Sequence, residues 1–240
     1  MSHQLRTAAA GAAFAALALA ACNPVGTSAP HTGAAGSGPS VAAKAALDEL
    51  DNLPVKGRAP KTGYSREEFG TAWSDEGTVA LARNSCPTRD DVLARDLTHV
   101  VRKDGCTVLT GVLHDPYTGG TISFKRGVKT SLAVQIDHIV PLSLAWQTGA
   151  QQLTAAQRLN LANDPENLVA VDGPTNGAKS DADAATWLPP NKPIRCGYAV
   201  RQIEVKAKYQ LWVTPPEKDA LRRVLNSCPG PALPGEGTGK

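Results

Sequence analysis

The sequence has few aromatic residues, a single methionine and little excess charge of either sign. Aromatic residues make up 5% of the 240 residues, and the formal net charge is only +3. Outside the N-terminus there is no long uncharged apolar run, which excludes a protein with several membrane spans. The absence of a His-Glu-x-x-His segment argues against the zinc peptidases that carry this motif. So small a net charge does not by itself indicate a nucleic-acid-binding protein.

Cysteine is scarce as well, and no two of the five cysteines are spaced as Cys-x-x-Cys, so a structural zinc site is not predicted. With Cys22 set apart, four cysteines remain, and an even number in an exported chain indicates two disulfides. Three pairings exist for four cysteines. We favour Cys86 with Cys106 and Cys196 with Cys228, since each pair closes a modest loop, although spacing alone leaves the other pairings open.

Residues 1–21 have the pattern of an export signal. Arg6 provides positive charge, and the uncharged stretch that follows is too short to remain as a membrane span. The segment ends in Leu19-Ala20-Ala21-Cys22, which resembles the bacterial lipobox, where signal cleavage precedes a lipid-modified cysteine. We therefore expect an exported cell-surface lipoprotein with Cys22 as its lipidation site. The alternative is an ordinary secretory signal and a secreted protein.

The remaining chain divides into a tether, one folded domain and a tail. Residues 22–44 are rich in Gly, Ser, Pro and Ala, a composition typical of a flexible linker. Residues 45–228 form the predicted domain, and residues 229–240 are expected to be disordered because they cannot build a core. Such a protein would touch a membrane only through the N-terminal lipid, and a monomer is expected.

The patterns within the domain predict an α+β fold, with a small antiparallel unit flanked by helices. Ser65-x-x-Glu68 and Thr88-x-x-Asp91 indicate capped helix starts. Two β-rich runs, CTVLTGVLHD and TISFKRG, flank a turn and predict a hairpin in which Asp115 caps the turn. Further strands are predicted in QIDHIVPL and NLVAV, and further helices in the segments 43–53, 142–163 with a break near Gly149, YAVRQIEVKAKYQL and PPEKDALRRVLNS.

One group of polar residues forms a candidate metal and catalytic site. Asp137 and His138 lie side by side in the apolar frame Ile136 to Pro141, where polar groups are costly without partners. Neighbouring strand residues point to opposite faces, so both can serve one site only where the strand ends or bends. Asn167 begins the next short strand, and Asn176 lies near a predicted helix start. A strand, strand and helix in this order make a compact frame for a metal site.

The series Asp137-His138, Asn167 and Asn176-x-x-Lys179 resembles the HNH, or ββα-metal, nuclease motif, including the HNH domain of RNA-guided CRISPR nucleases. The blocks over residues 62–228 resemble exported bacterial HNH-type proteins of the GmrSD C-terminal-like group. The resemblance implies that Asp137 and Asn176 bind a divalent metal and that His138 is the general base. It also implies that Asn167 holds the loop and orients the histidine.

The resemblance further implies a phosphate contact from Lys179 and, less directly, from Arg158, although both could equally be solvated cations. Oxygen ligands favour Mg²⁺, with Mn²⁺ as a second choice. Zinc should work poorly, since Asn176 stands where many family members have a histidine. The expected function is hydrolysis of phosphodiester bonds in DNA, and secondarily RNA. Little sequence preference is expected, since no sequence-reading module is evident. The alternative is a catalytically degenerate lipoprotein that binds nucleic acid at the cell envelope.

Overall fold

The computed structural model describes residues 36–230. The predicted signal peptide, the lipidation site Cys22, most of the predicted tether and residues 231–240 lie outside this range. The helices are α1 Val41–Asn52, α2 Thr88–Asp96, α3 Leu142–Gln147, α4 Ala155–Asn163, α5 Gly173–Lys179, α6 Arg195–Lys208 and α7 Pro215–Asn226. The strands are β1 Gly36–Pro39, β2 Leu97–Lys103, β3 Thr107–His114, β4 Thr121–Lys125, β5 Val134–His138, β6 Leu168–Asp172 and β7 Pro229–Gly230.

The strands form three small antiparallel sheets, so the predicted α+β class is confirmed. β2, β3 and β4 make a meander, β5 pairs with β6, and β1 pairs with β7. The predicted hairpin is β3–β4, and Asp115 caps its turn by accepting hydrogen bonds from the backbone N–H and the hydroxyl of Thr118. Helix α2 packs its apolar residues against the meander and the β5–β6 pair, and this contact forms one of the apolar cores.

A second core lies among three helices. Helix α1 packs on α6 and α7, and the buried residues of this core include Leu50, Ile203 and Leu221. A disulfide between Cys196 and Cys228 joins the start of α6 to the second residue after α7, and a second disulfide joins Cys86 to Cys106. Both pairs are those predicted. Burial of large apolar side chains, each contributing about 1.5–3 kcal/mol, provides most of the cohesion.

Three predictions about local structure need correction. Ser65 makes no side-chain cap, and the helical turn after it is a short 3₁₀ segment, Arg66–Phe69. Pro87 occupies the cap position of α2, because the Thr88 hydroxyl donates to the carbonyl oxygen of Ser74 instead. The predicted tether and tail also contribute to the fold, since Gly36–Pro39 pairs with Pro229–Gly230. Helix α1 begins at Val41, inside the predicted tether.

The aromatic residues Trp146, Tyr198, Tyr209 and Trp212 are buried and belong to the packing. Within residues 36–230, no helix has both the length and the apolar character that crossing a membrane requires.

Candidate active site

The site is built on a strand, strand and helix unit formed by β5, β6 and α5. β5 and β6 pair antiparallel, with Asp137 opposite Val169 and His138 opposite Leu168. α5 follows β6 without a loop, and Asp172 caps its start by accepting from the N–H of Thr175 at 2.8 Å. A Cβ on Gly173 would lie 2.0 Å from the carbonyl oxygen of Leu132, so only glycine permits this close packing of α5 against the turn that precedes β5.

His138 is the last residue of β5 and is 8% exposed. Its Nε2 lies 2.9 Å from the carbonyl oxygen of Ala162, at the end of α4. A carbonyl oxygen can only accept a hydrogen bond, so the ring proton belongs on Nε2 and the lone pair on Nδ1. Burial lowers the pKa of His138 to about 4, although the hydrogen bond to the Ala162 carbonyl acts to raise this pKa. The imidazole is therefore neutral at pH 7, with Nδ1 as its basic atom.

Asn167 ties the segment after β5 to the end of α4. It is fully buried, and its Oδ1 accepts from the N–H of Val140 at 2.8 Å. Its Nδ2 donates to the carbonyl oxygens of Val140 and Leu161. Leu161 immediately precedes Ala162, so Asn167 fixes the same helix end that holds His138.

Asp137 precedes His138 in β5 and is almost completely buried. Its Oδ1 accepts from Lys179 Nζ at 2.9 Å, and its Oδ2 accepts from the hydroxyl of Tyr117. Lys179 Nζ also donates to the backbone carbonyl of His138 at 2.8 Å. Burial raises the pKa of Asp137 and lowers the pKa of Lys179, and the attraction between the two groups opposes both shifts.

Asp137, His138 and Asn176 line a single cleft of about 380 Å³. Asn176 is half-buried in α5 and donates from Nδ2 to Gln135 Oε1 at 2.9 Å, which leaves its Oδ1 as the oxygen for other partners. Asp181 lines the same cleft and accepts from the Ser143 hydroxyl at 2.9 Å and from Lys61 Nζ at 3.2 Å. The Ser143 and Lys61 contacts lower the pKa of Asp181.

Residues 87–224 match the family model for the C-terminal domain of GmrSD restriction endonucleases. The chain belongs to this family. A protein described as an uncharacterized secreted protein, from Arthroderma benhamiae, is 39% identical over 188 residues, which is 78% of this chain and 86% of that protein. No solved structure matches the chain.

Two cations of this GmrSD-type domain lie elsewhere than predicted. Lys179 is 0% exposed, because its ammonium is enclosed by Asp137 and the His138 carbonyl, and it does not line the cleft. Arg158 donates to the carbonyl oxygens of Glu68 and Leu153 and lies over the ring of Trp146. These partners keep Arg158 in the packing of α4, and it does not line the cleft.

The cations that do line the cleft of the GmrSD-type domain are Lys61 and Arg66, and neither was predicted as a site residue. Arg66 is exposed, and its side chain makes no hydrogen bond or ion pair with any residue in the range 36–230. Both belong to a stretch with little regular structure, so no periodicity pointed to them. Tyr117 and Asp181 were also missed, although Asp181 lies only two residues after Lys179 in the sequence.

The donors in the cleft fit a hard divalent cation. Asp137, Asn176 and Asp181 offer oxygens only, and oxygen is the ligand type that Mg²⁺ and Mn²⁺ prefer. Within residues 36–230, no group of three or more His, Cys, Asp or Glu side chains is placed to hold a metal ion. A cation in this GmrSD-type site would therefore depend on amide, water and phosphate oxygens besides its carboxylate.

Proposed function

We propose that this protein is an exported, metal-dependent endonuclease that hydrolyses phosphodiester bonds of nucleic acids with little sequence preference. The observation that carries the proposal is the convergence of Asp137, His138 and Asn176 on one cleft of a strand, strand and helix unit. Membership of a restriction endonuclease domain family supports the same activity. DNA is the expected substrate, with RNA as the second.

His138 is the proposed general base, and Nδ1 is the atom that takes the proton from the attacking water. The Ala162 carbonyl fixes the tautomer, and Asn167 holds the helix end that carries this carbonyl. A histidine that is neutral at pH 7 is ready to accept a proton without first losing one. A positioned base of this kind typically contributes about 10²–10⁴-fold to the rate.

Asp137 and Asn176 are the proposed metal ligands, with Asp181 as a further oxygen donor at the same cleft. A bound Mg²⁺ or Mn²⁺ would supply stabilisation of the negative charge that develops on the phosphate and the leaving oxygen. Lys179 and Tyr117 act as positioning residues, because they fix the Asp137 carboxylate through one hydrogen bond to each oxygen. This role for Lys179 replaces the phosphate contact expected from the sequence.

Arg66 and Lys61 are the proposed phosphate-binding cations. Arg66 is exposed at the cleft without a hydrogen-bond or ion-pair partner in the described range, and Lys61 pairs with the Asp181 carboxylate and lies over the ring of Tyr64. Contacts of this type bind the nucleic-acid backbone without reading its sequence, and added salt weakens them.

Export is supported by two features. The two disulfides are typical of an oxidising compartment, and the relative from Arthroderma benhamiae is described as secreted. Whether the protein stays attached through a lipid on Cys22 is a further part of the proposal, and mass spectrometry of the mature N-terminus tests it.

The decisive experiment is a supercoiled-plasmid assay with Mg²⁺, Mn²⁺ and Zn²⁺ in parallel. We expect nicking with Mg²⁺ or Mn²⁺ that chelator abolishes, and a loss of about 10²–10⁴-fold in His138→Ala. His114→Ala is the matched control, since His114 is an exposed histidine of β3 and its loss should leave the rate unchanged. Wild-type protein that binds plasmid but never cuts it would instead identify a degenerate, nucleic-acid-binding domain.

A further inference from the structure

A second pocket adjoins the cleft and shares Arg66, His138 and Leu142 with it. Its other walls are mainly apolar and include Phe69 and Ala162. The volume is about 230 Å³, which is smaller than the roughly 300–1,000 Å³ of sites for drug-sized ligands. A pocket of this size suits a single flat ring system, and none of the proposed catalytic steps uses it.

The pocket has an aromatic wall. The rings of Trp73 and His138 are nearly parallel, at 13°, with centroids 6.0 Å apart. Trp73 has a φ of 58°, a conformation that bulky residues rarely adopt, and its carbonyl oxygen accepts from the N–H of Thr88. Residues kept in such conformations cluster at functional sites. A flat aromatic face binds any nucleobase by stacking.

The pocket also has a polar group without a partner. Asn163 lines it and is 2% exposed. Its Nδ2 donates to the carbonyl oxygen of Leu159 at 2.9 Å, but no residue in the range 36–230 donates to its Oδ1. A buried acceptor without a donor costs free energy, so an N–H group that reached it would be favoured. Neighbouring protein atoms shield this oxygen from solvent, so those atoms must move before an entering group can reach it.

We propose that this pocket binds one unstacked base of the nucleic-acid substrate, beside the phosphate in the cleft, with Trp73 as the stacking platform and Asn163 as the hydrogen-bond acceptor. The inference rests on the proposed nuclease function. Arg66 borders both spaces, so it can contact the phosphate of the nucleotide whose base is bound. A base enters only after leaving its own stack, which costs less in single-stranded than in double-stranded substrate.

The test uses a fluorescent single-stranded hexanucleotide in which only the central phosphodiester is cleavable. Abasic versions lack the base on one side of that bond or on the other. Binding is measured by fluorescence anisotropy in chelator, and cleavage is measured separately with Mg²⁺. We expect one of the two abasic substrates to bind wild-type protein roughly 5- to 150-fold more weakly than the intact one, the range that base stacking on an aromatic ring provides.

Trp73→Ala should weaken binding of the intact hexamer by a similar factor and leave binding of that abasic hexamer unchanged. Trp73→Phe keeps an aromatic face and should retain most of the affinity, and thermal melts check the folding of both variants. With unsubstituted purine in place of adenine at the bound position, which removes the N–H donor of the base, wild-type protein should bind roughly 2- to 12-fold more weakly, the range of one hydrogen bond. Asn163→Leu should remove this preference.

Equal binding of the intact hexamer and both abasic hexamers by wild-type protein, or no binding of any of them, would overturn the base pocket. This arm needs no substitution, so misfolding of a variant cannot obscure it. Base-dependent binding without Mg²⁺-dependent cleavage would contradict the proposed function and leave the pocket supported. Mg²⁺-dependent cleavage that does not depend on either base would support the proposed function and contradict the base pocket.

Discussion

Within residues 36–230, two lysines are fully buried, and each is paired with a carboxylate. Lys179 binds Asp137 between α5 and β5, and Lys206 binds Glu217 between α6 and α7. Lys206 also donates to the carbonyl oxygen of Trp212 at 2.9 Å, much as Lys179 donates to that of His138. The difference lies in the carboxylates, because Asp137 lines the cleft whereas Glu217 is enclosed in the helical core.

The same type of buried ion pair stabilises the helical core at Lys206 and borders the candidate active site at Lys179. Glu217 also caps α7 by accepting from the N–H of Thr214, so this carboxylate serves both the start of α7 and the ion pair between α6 and α7. Asp137 accepts one hydrogen bond at each oxygen and lines the cleft, where the proposed function assigns it a metal ion. Removing each lysine should therefore have a different main consequence.

Lys206→Met should give the largest loss of stability. It leaves the Glu217 carboxylate buried without its partner, which typically costs about 3–5 kcal/mol. Urea unfolding measures this loss, and the rate of plasmid nicking per folded molecule should not change. The double variant Lys206→Met, Glu217→Leu should recover part of the loss, since no charge is then left unpaired. A loss below about 1 kcal/mol for the single variant would show that water reaches Glu217.

The stability of the cleft region should depend on pH through His138. Its pKa is about 4 in the folded protein and about 6.5 in an unfolded chain. Above about pH 6.5 the free energy of unfolding does not depend on this group. Between about pH 6.5 and 4 the unfolded chain binds a proton that the buried imidazole does not, so the free energy of unfolding falls by roughly 3 kcal/mol. Unfolding in chelator at pH 7.5 and pH 4 measures it.

His138→Gln should reduce that pH dependence, whereas the exposed His114→Gln should retain it. Equal dependence in wild type and His138→Gln would mean that the imidazole is not buried in its neutral form. The Lys206 pair provides the contrast, because Lys206→Met should lower stability at both pH values without removing the contribution of His138.

Lys179→Met should cost less stability than Lys206→Met, roughly 1–3 kcal/mol, because water in the cleft can solvate the remaining carboxylate. Its main effect should be on activity, since loss of a residue that orients a metal ligand typically costs about 10–100-fold in metal affinity or rate. A Mg²⁺ titration of plasmid nicking measures it. An unchanged rate with a lower melting temperature would assign Lys179 to packing alone, like Lys206.

Tyr117→Phe should have the smallest effect. It removes one hydrogen bond to Asp137 and keeps the ring packed against Trp187 and Tyr198, so a loss of about 0.5–1.5 kcal/mol is expected. The Mg²⁺ concentration for half-maximal nicking should shift in the same direction as in Lys179→Met, and less far. A shift in the opposite direction would separate Tyr117 from the orientation of Asp137.

Much of the fold could be predicted because its signals are local. The apolar runs around Asp137 and after Asn167 predicted β5 and β6, and the turn residues between β3 and β4 predicted their hairpin. Modest loop lengths favoured the two disulfide pairs that the structure contains, but did not exclude the other pairings. The helix caps failed at Ser65 and Thr88, because a hydroxyl can bond several backbone groups and tertiary packing decided which.

The polar surroundings of the site were harder to predict. The sequence marks Lys179 as a cation but does not show that α5 turns its ammonium inward against Asp137. Arg66 and Trp73 come from a stretch with little regular structure, and only the folded chain brings them beside His138. Positions set by long-range packing leave no periodic trace in the sequence.

The hydrogen bond between His138 and the Ala162 carbonyl has a consequence for turnover. With Nε2 occupied, the ring exchanges protons through Nδ1 alone, so a proton taken from water in the proposed reaction must depart from the same atom that received it. His138 lines the cleft that the products of the proposed reaction would occupy, so the proton would leave after them. Product departure and recovery of the free base are thereby joined in one event, and a slow exit would delay both.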